Sequence, residues 1–508
     1  MKHKINRILY LLVVSSTLLV SCKKDLDVQP RQQIVLETAL NSRDNVNAAI
    51  IGVYARLKSL RSYGRDLLAV SEALADNASA TNKSGRLVNE AQNVQGATFA
   101  NWQNSYFAIA EINLILAAIP NLNVAPAVTA NERNAWNGQL RFLRALFYFD
   151  LMRCYAYEPN MGVPGQDRGG VPIMTTTPTT IAAAVGTTPA RAQIDSVYAL
   201  IKRDIDSANR LLINDFVNLY PNLATKVAAQ ALYARVSLYE KNYVNAKRWC
   251  DSVLSTATMA GRLTNVNSYV GGWTSQIHPE SIFEVRFANQ AENLGVNESL
   301  QTTYSTLLRR GNPAVVGGFG DLVPNGVLLG LLGITFSGTA GAPGAITGRS
   351  DDVRNLLFEV GSPARGTARI ECTKFIGKNG FPNLDNIPLI RLPEIYLIRA
   401  EAMGTIGSPV FDLNAARADL VTVKQSRYSN YATTQASADA GISTGTAMVS
   451  EILRQRRIEY AMEGYRWFDL KRLGLDDNNI LYTDFRFLAQ IPVRETDNNP
   501  NLVQNFGY

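Results

Sequence analysis

The chain has 508 residues, 46% of them hydrophobic and 18% charged, which is the composition of a globular protein and excludes a largely disordered one. Its formal charge of +7 is spread along the chain without a concentrated basic run, so nothing calls for a nucleic-acid partner. Beyond Cys22 only Cys154, Cys250 and Cys372 remain, with no CxxC motif, and past the N-terminus His278 is the one histidine. Disulfide scaffolds, multi-histidine zinc sites and HExxH are thereby excluded, and no metal or other cofactor is expected.

At the N-terminus Lys2, Lys4 and Arg7 precede an almost continuous apolar stretch from Ile8 to Val20, followed by Ser21 and Cys22. This pattern predicts a secretory signal peptide over 1–21, too short to span a bilayer as a stable helix. An ending at Ser-Cys resembles a bacterial lipobox, which implies acylation of Cys22 as the first mature residue. An ordinary signal cleaved near a cysteine is the alternative, disfavoured because Cys22 is the only cysteine in the first 150 residues. The acids of Lys23-Lys24-Asp25-Leu26-Asp27 resemble the export signal of surface-exposed lipoproteins in some Gram-negative envelopes. With each buried methylene contributing ~0.8 kcal/mol, acyl chains would tether the protein to a membrane without spanning it. Removal of 1–21 takes Lys2, Lys4 and Arg7 from the +7 and leaves +4.

Thr38–Leu60 reads as a helix, with Val46, Ala49, Ile50, Val53 and Leu57 at helical spacing. Trp102–Ile119 reads as another, ended by Pro120, and Asn131–Tyr157 carries a stripe from Trp136 through Leu140, Leu143, Phe147 and Leu151. Thr225–Tyr239 and Tyr243–Leu254 form a candidate tetratricopeptide-like hairpin, and Pro393–Met403 with Leu413–Val423 a second, each with alanines for close packing. Between them, from about 256 to 390, lies a loop-rich section with short strand-like pieces such as Ser281–Phe287. Leu322–Phe336 is apolar but interrupted by Pro324, Gly326, Gly330 and Gly333, and reads as a buried or interface loop. The expected fold is mainly α: tetratricopeptide-like hairpins in a superhelical scaffold, with a loop-rich insertion carrying short strands.

The last quarter contains Arg456-Arg457-Ile458-Glu459-Tyr460 and Glu463-Gly464-Tyr465-Arg466-Trp467-Phe468-Asp469-Leu470-Lys471-Arg472-Leu473-Gly474. With Arg391 to Ala402, Arg141 to Leu151, Gly169 to Ile173 and the ending Gln504-Asn505-Phe506-Gly507-Tyr508, this series resembles the SusD/RagB-like nutrient-binding lipoproteins. The resemblance implies one SusD-like domain over 22–508, with helical parts at 22–255 and 391–508 flanking the insertion at 256–390. It also implies a cell-surface, outer-membrane lipoprotein that binds oligosaccharide or peptide and delivers it to a SusC-like TonB-dependent transporter. Read from the residues alone, the C-terminal charges are structural, with Glu463 and Arg466, and Asp469 and Arg472, placed to pair along one helix.

No catalytic set emerges. Gly441-Ile442-Ser443-Thr444-Gly445 matches GxSxG, but no strand is evident before it and no histidine follows it. Paired carboxylates for glycoside hydrolysis cannot be recognised by spacing among Asp76, Glu90, Glu284, Asp351 and Asp352. A glycan site needs aromatic faces and polar groups for hydroxyls. The early loop region and the mid-chain insertion supply candidates: Tyr63, Arg65, Asp76, Asn77, Arg86 and Trp102 in the first, Trp273, Tyr304 and Phe319 in the second. Each has a packing alternative: Trp102 opens an apolar helix, and Asp76-Asn77 suits a turn. The expected function is therefore binding without catalysis; the alternatives are an outer-membrane glycoside hydrolase using two carboxylates and a helical-repeat scaffold that binds no ligand.

Overall fold

The computed structural model describes residues 40–213, 221–339, 342–378, 381–477 and 479–508. The N-terminal helices are α1 (Arg43–Leu57), α2 (Asp66–Leu74), α3 (Trp102–Ala118), α4 (Ala130–Tyr155), α5 (Ile194–Leu211), α6 (Lys226–Tyr239) and α7 (Tyr243–Leu254). Polar residues fix four of these starts. Ser42 caps α1, Thr129 and Glu132 form a reciprocal capping box on α4, Thr225 caps α6 and Asn242 caps α7. The C-terminal helices are α8 (Leu392–Gly404), α9 (Leu413–Gln425), α10 (Gly445–Glu459) and α11 (Arg466–Leu473).

Packing follows chain order: α3 on α4, α4 on α5, α5 on α6, α6 on α7. The series then passes over the middle section, with α7 on α8 and α8 on α9. Both expected hairpins thus form and stack on each other, as tetratricopeptide-like units do when each covers its neighbour's small-residue face. Ala228, Ala231, Ala400, Ala402 and Ala416 are fully buried in these contacts, and α4 is the spine, with Phe142, Leu143, Leu146, Phe147 and Leu151 inaccessible. Of the helices named above, α2, buried at every position, and the strongly amphipathic α5 are absent from the sequence prediction.

The middle section is more ordered than its composition predicts. Its strands, with one earlier strand, are β1 (Ala78–Ala80), β2 (Ser281–Val285), β3 (Leu322–Pro324), β4 (Ile334–Thr339), β5 (Ala342–Arg349), β6 (Phe358–Val360), β7 (Ile370–Cys372) and β8 (Ile387–Arg391). They pair two by two, all antiparallel: β1 with β3, β2 with β8, β4 with β5, β6 with β7. Leu322–Phe336 is therefore not a loop: it holds β3, a short helix at Gly326–Leu331 and the start of β4. Pro324 ends β3, Gly326 opens the short helix and Gly333 precedes β4, while Gly330 lies within the helix. β8 runs directly into α8 and so ties the insertion to the second hairpin.

The C-terminal block is two helices, not one. Met462 and Gly464 adopt φ of 64° and 80° between α10 and α11. A Cβ on Gly464 would lie 2.6 Å from the Leu67 carbonyl oxygen and the Leu68 Cα, so only glycine lets the break approach α2 this closely. The break redirects the charges. Asp469 does accept from Arg472 at 2.7 Å, as the spacing predicts. Glu463 instead accepts from Arg391 at 2.8 and 3.0 Å and from Lys374 at 2.6 Å, while Arg466 turns to Asp76. Glu463, Asp469 and Arg472 are buried, and Arg466 is partly so.

Candidate functional site

Residues distant in sequence meet through the β1–β3 ladder, where Ala78 faces Pro324, Ser79 faces Val323 and Ala80 faces Leu322. Thr81 extends it, its N–H donating to Asp321 O at 2.8 Å and its hydroxyl to Gly320 O at 2.7 Å. At the other end Asn325 donates its N–H to Asn77 O at 2.9 Å and its amide to Asp76 O at 3.0 Å. A polar cleft of about 360 Å³ opens beside the ladder, lined by Asp76, Ser79, Asn82, Gln92, Asn325 and Asn479.

Next to it, the turn Phe319-Gly320-Asp321 supplies a ring and charges. The guanidinium carbons of Arg86 and Arg365 lie 4.8 and 4.5 Å from the half-buried Phe319 ring centroid. The Asp321 carboxylate accepts from Arg86 Nε at 3.0 Å and from the Ser84 hydroxyl. Gly320 has φ of 64°, and a Cβ there would lie 2.8 Å from Glu371 Oε1, so the turn closes over that buried carboxylate only with glycine. An aromatic ring beside amides, hydroxyls and guanidinium groups matches both the apolar face and the hydroxyl rim of a sugar.

The C-terminal block holds this face from behind. Arg457 donates Nε to Asn77 Oδ1 and Nη2 to Asp76 O, both at 2.7 Å. Arg466 grips the Asp76 carboxylate with two bonds, 2.6 and 2.9 Å. Burial alone would raise the Asp76 pKa, but the hydrogen bonds and charge of Arg466, with Arg457 beyond, hold it below the usual carboxylate range. Burial, with the Arg466 cation alongside, brings Arg457 down to about 10. One layer deeper, Glu72 accepts from Gly464 N–H at 2.8 Å and the Asn77 amide at 3.1 Å. Burial pushes its carboxyl up to about 7 despite those bonds.

Of the residues singled out from sequence, Asp76, Asn77, Arg86 and Phe319 come together here. Asp76 and Asn77 serve as anchors of the ladder more than as exposed contacts. Trp273 is fully buried, not on a loop surface: Lys374 Nζ lies 4.8 Å and Arg391 Cζ 5.3 Å from its ring, and His278 and Phe375 pack edge-on. No face is left for a sugar. Tyr304 is equally buried, 5.9 Å from Phe375. Trp102, 3% exposed, packs on Tyr106 and Tyr155 at the base of a separate apolar groove of about 680 Å³ with Phe107, Pro172, Val185 and Leu502. Tyr63 donates to the Asp150 carboxylate at 2.7 Å, and Arg65 to Asp66 at 2.7 Å. Cys22 lies outside the described residues, and Cys154, Cys250 and Cys372 are buried free thiols.

Sequence reasoning missed Arg365, Asp321, Asn325 and Asn479, since only the tertiary pairing brings them to residues 76–86. The GxSxG match connects Ala436–Ala440 to α10, helix to helix, without the strand-to-helix turn of a nucleophile elbow. Glu284 is buried against Ser281 and the His278 N–H, and Asp352 against Arg354.

Comparison with known proteins gives consistent results. A family model described as starch-binding and associating with the outer membrane matches residues 24–238, and a SusD family model matches residues 373–484. SusD-like protein P38 of Formosa agariphila is 23% identical over 100% of both chains, and SusD-like protein P2 of the same organism 24% identical over 99% of each. Among solved structures, a SusD superfamily protein from Bacteroides thetaiotaomicron aligns with a TM-score of 0.73 and 24% identity, over 91% of this chain and 99% of that one. A laminarin-binding SusD-like protein aligns with a TM-score of 0.66 and 20% identity, over 92% and 100%. At these identities the structural likeness speaks for the fold. With two SusD-type models matched in order on either side of the middle section and SusD-like relatives aligned end to end, the chain belongs to the SusD/RagB family of carbohydrate-binding, outer-membrane-associated proteins.

Proposed function

We propose that this protein captures an oligosaccharide at the outer face of the cell and passes it to a SusC-like TonB-dependent transporter, acting as a binder and not as an enzyme. The observation that carries the reading is the β1–β3 pairing, which sets Phe319 and Arg86 beside a cleft of amides and hydroxyls. The family description as starch-binding, and a neighbour that binds laminarin, support a saccharide over a peptide. In this reading Phe319 and Arg86 touch the ligand, Asp76 and Asn77 hold the ladder, and 22–508 works as one unit. Attachment is through an acylated Cys22. Among the described residues no helix is long and apolar enough to cross a membrane, which fits a tethered protein.

The test is a glycan and peptide array probed with residues 23–508. Retention of glycans is the expected outcome. Retention of peptides alone, hydrolysis of a chromogenic glycoside, or no retention by a correctly folded protein would each overturn it. Separately, Cys22→Ala is expected to leave glycan retention intact and move the protein out of the membrane fraction; a variant still found with the membrane would contradict the anchor.

A further inference from the structure

We infer that this site selects saccharides bearing anionic groups, either uronate carboxylates or sulfate esters; the inference rests on the glycan-binding reading above. Three cations from two separate stretches of chain, Lys83 and Arg86 from one and Arg365 from the other, converge on Phe319-Gly320-Asp321, and their hydrogen-bonding capacity is not filled from within the protein. Arg86 donates Nε to Asp321, but its Nη2 is buried without an acceptor. Lys83 Nζ lies 3.5 Å from Glu371 Oε1, yet it too is buried without a hydrogen-bond acceptor. The Glu371 carboxylate is already engaged by the Thr306 N–H at 2.7 Å, the Thr306 hydroxyl at 2.8 Å and the Ser305 hydroxyl at 3.1 Å. Arg365 is exposed over Phe319 and has no carboxylate partner among the described residues.

The nearby acids are already engaged within the protein. Asp76 is gripped by Arg466 and Arg457, Asp321 is shared by Ser84 and Arg86, and Glu371 faces Lys83. Of the three cations Arg365 alone is left without a carboxylate among the described residues, so the open charge at this face is positive. With Arg86 already paired to Asp321, the aromatic ring does not neutralise Arg365, whereas a carboxylate or sulfate seated by its exposed fork would. Such groups form the short, paired, charge-assisted bonds that a neutral hydroxyl cannot. Phe319 would meet the apolar face of the same sugar.

The experiment is affinity electrophoresis of residues 23–508 in gels containing polygalacturonate, dextran sulfate, laminarin or dextran, at low and high salt. The proposal expects retardation by at least one anionic polymer roughly tenfold stronger than by the neutral ones, diminished by salt. Polygalacturonate and dextran sulfate separate the carboxylate source from the sulfate source. Arg365→Ala, an exposed position whose loss should leave the thermal midpoint unchanged, is expected to abolish the advantage of anionic over neutral polymers. Arg168→Ala, exposed elsewhere, is expected to change nothing. Equal retardation by neutral polymers, or an advantage untouched by Arg365→Ala or equally lost in Arg168→Ala, overturns the charge selectivity while glycan binding stands. Retardation by none of the four, together with an array that retains no glycan, overturns both.

Discussion

Glu459 is held by three arginines that come from different parts of the chain: Arg391 at 2.8 Å, Arg427 at 2.9 Å and Arg354 at 3.5 Å, all buried. Their combined charge outweighs burial and keeps its carboxyl well below the usual range. Removing that one negative charge would strand guanidinium groups in the interior. Glu459→Gln is accordingly expected to lower stability by about 3–5 kcal/mol, read from urea unfolding. Glu72 behaves oppositely. Burial raises its carboxyl from 4.5 to about 7 in the folded protein. Between those values the folded chain holds a proton that the unfolded chain has released, so stability falls as pH rises through the window. Asp385, raised to about 6 by burial, acts in the same direction. Urea midpoints measured below and above the window are expected to drop with pH, and to drop less in Glu72→Gln; an unchanged slope in that variant would place the proton elsewhere.

Among elements, the joint between α10 and α11 does the most to position the site. It turns Arg457, Gly464 and Arg466 onto Glu72, Asp76 and Asn77, the residues just before β1. Gly464→Ala would drive a Cβ into α2 at a positive φ, and is expected to cost about 2 kcal/mol or more in thermal or urea unfolding. Arg466→Ala breaks a paired bond to a mostly buried carboxylate and is expected to cost about 1–3 kcal/mol. Its more specific sign is faster amide hydrogen exchange at Ser79 to Thr81, with the α6–α7 hairpin unaffected; uniform acceleration would argue against a local clasp. The long helices were legible in sequence because an apolar stripe and a cap are local signals, as in Ala130–Tyr155. The joint was not legible, because Met462 and Gly464 break an otherwise helical pattern only where α2 packs against them.

Across the whole molecule, stacked hairpins form the frame and the middle section adds the surface. The order of the C-terminal, hairpin and early blocks was readable from the sequence, and with it the family. The site was readable only in part. Asp76, Asn77, Arg86 and Phe319 belong to it, but Asn325 joins through β1–β3 pairing and Arg365 from the connection between β6 and β7, tertiary placements that no local pattern encodes. Trp273 misleads for the same reason. Gly271-Gly272 makes it look like a loop tip, yet Lys374, Phe375 and Arg391 arrive from elsewhere in the chain to cover it. The central claim is that ligand sits on Phe319, and isothermal titration with a glycan retained by the wild-type array tests it directly. Phe319→Ala is predicted to weaken that affinity by roughly tenfold or more, as loss of an aromatic platform does, with the unfolding midpoint little changed. Affinity equal to wild type in a folded Phe319→Ala protein would contradict the account.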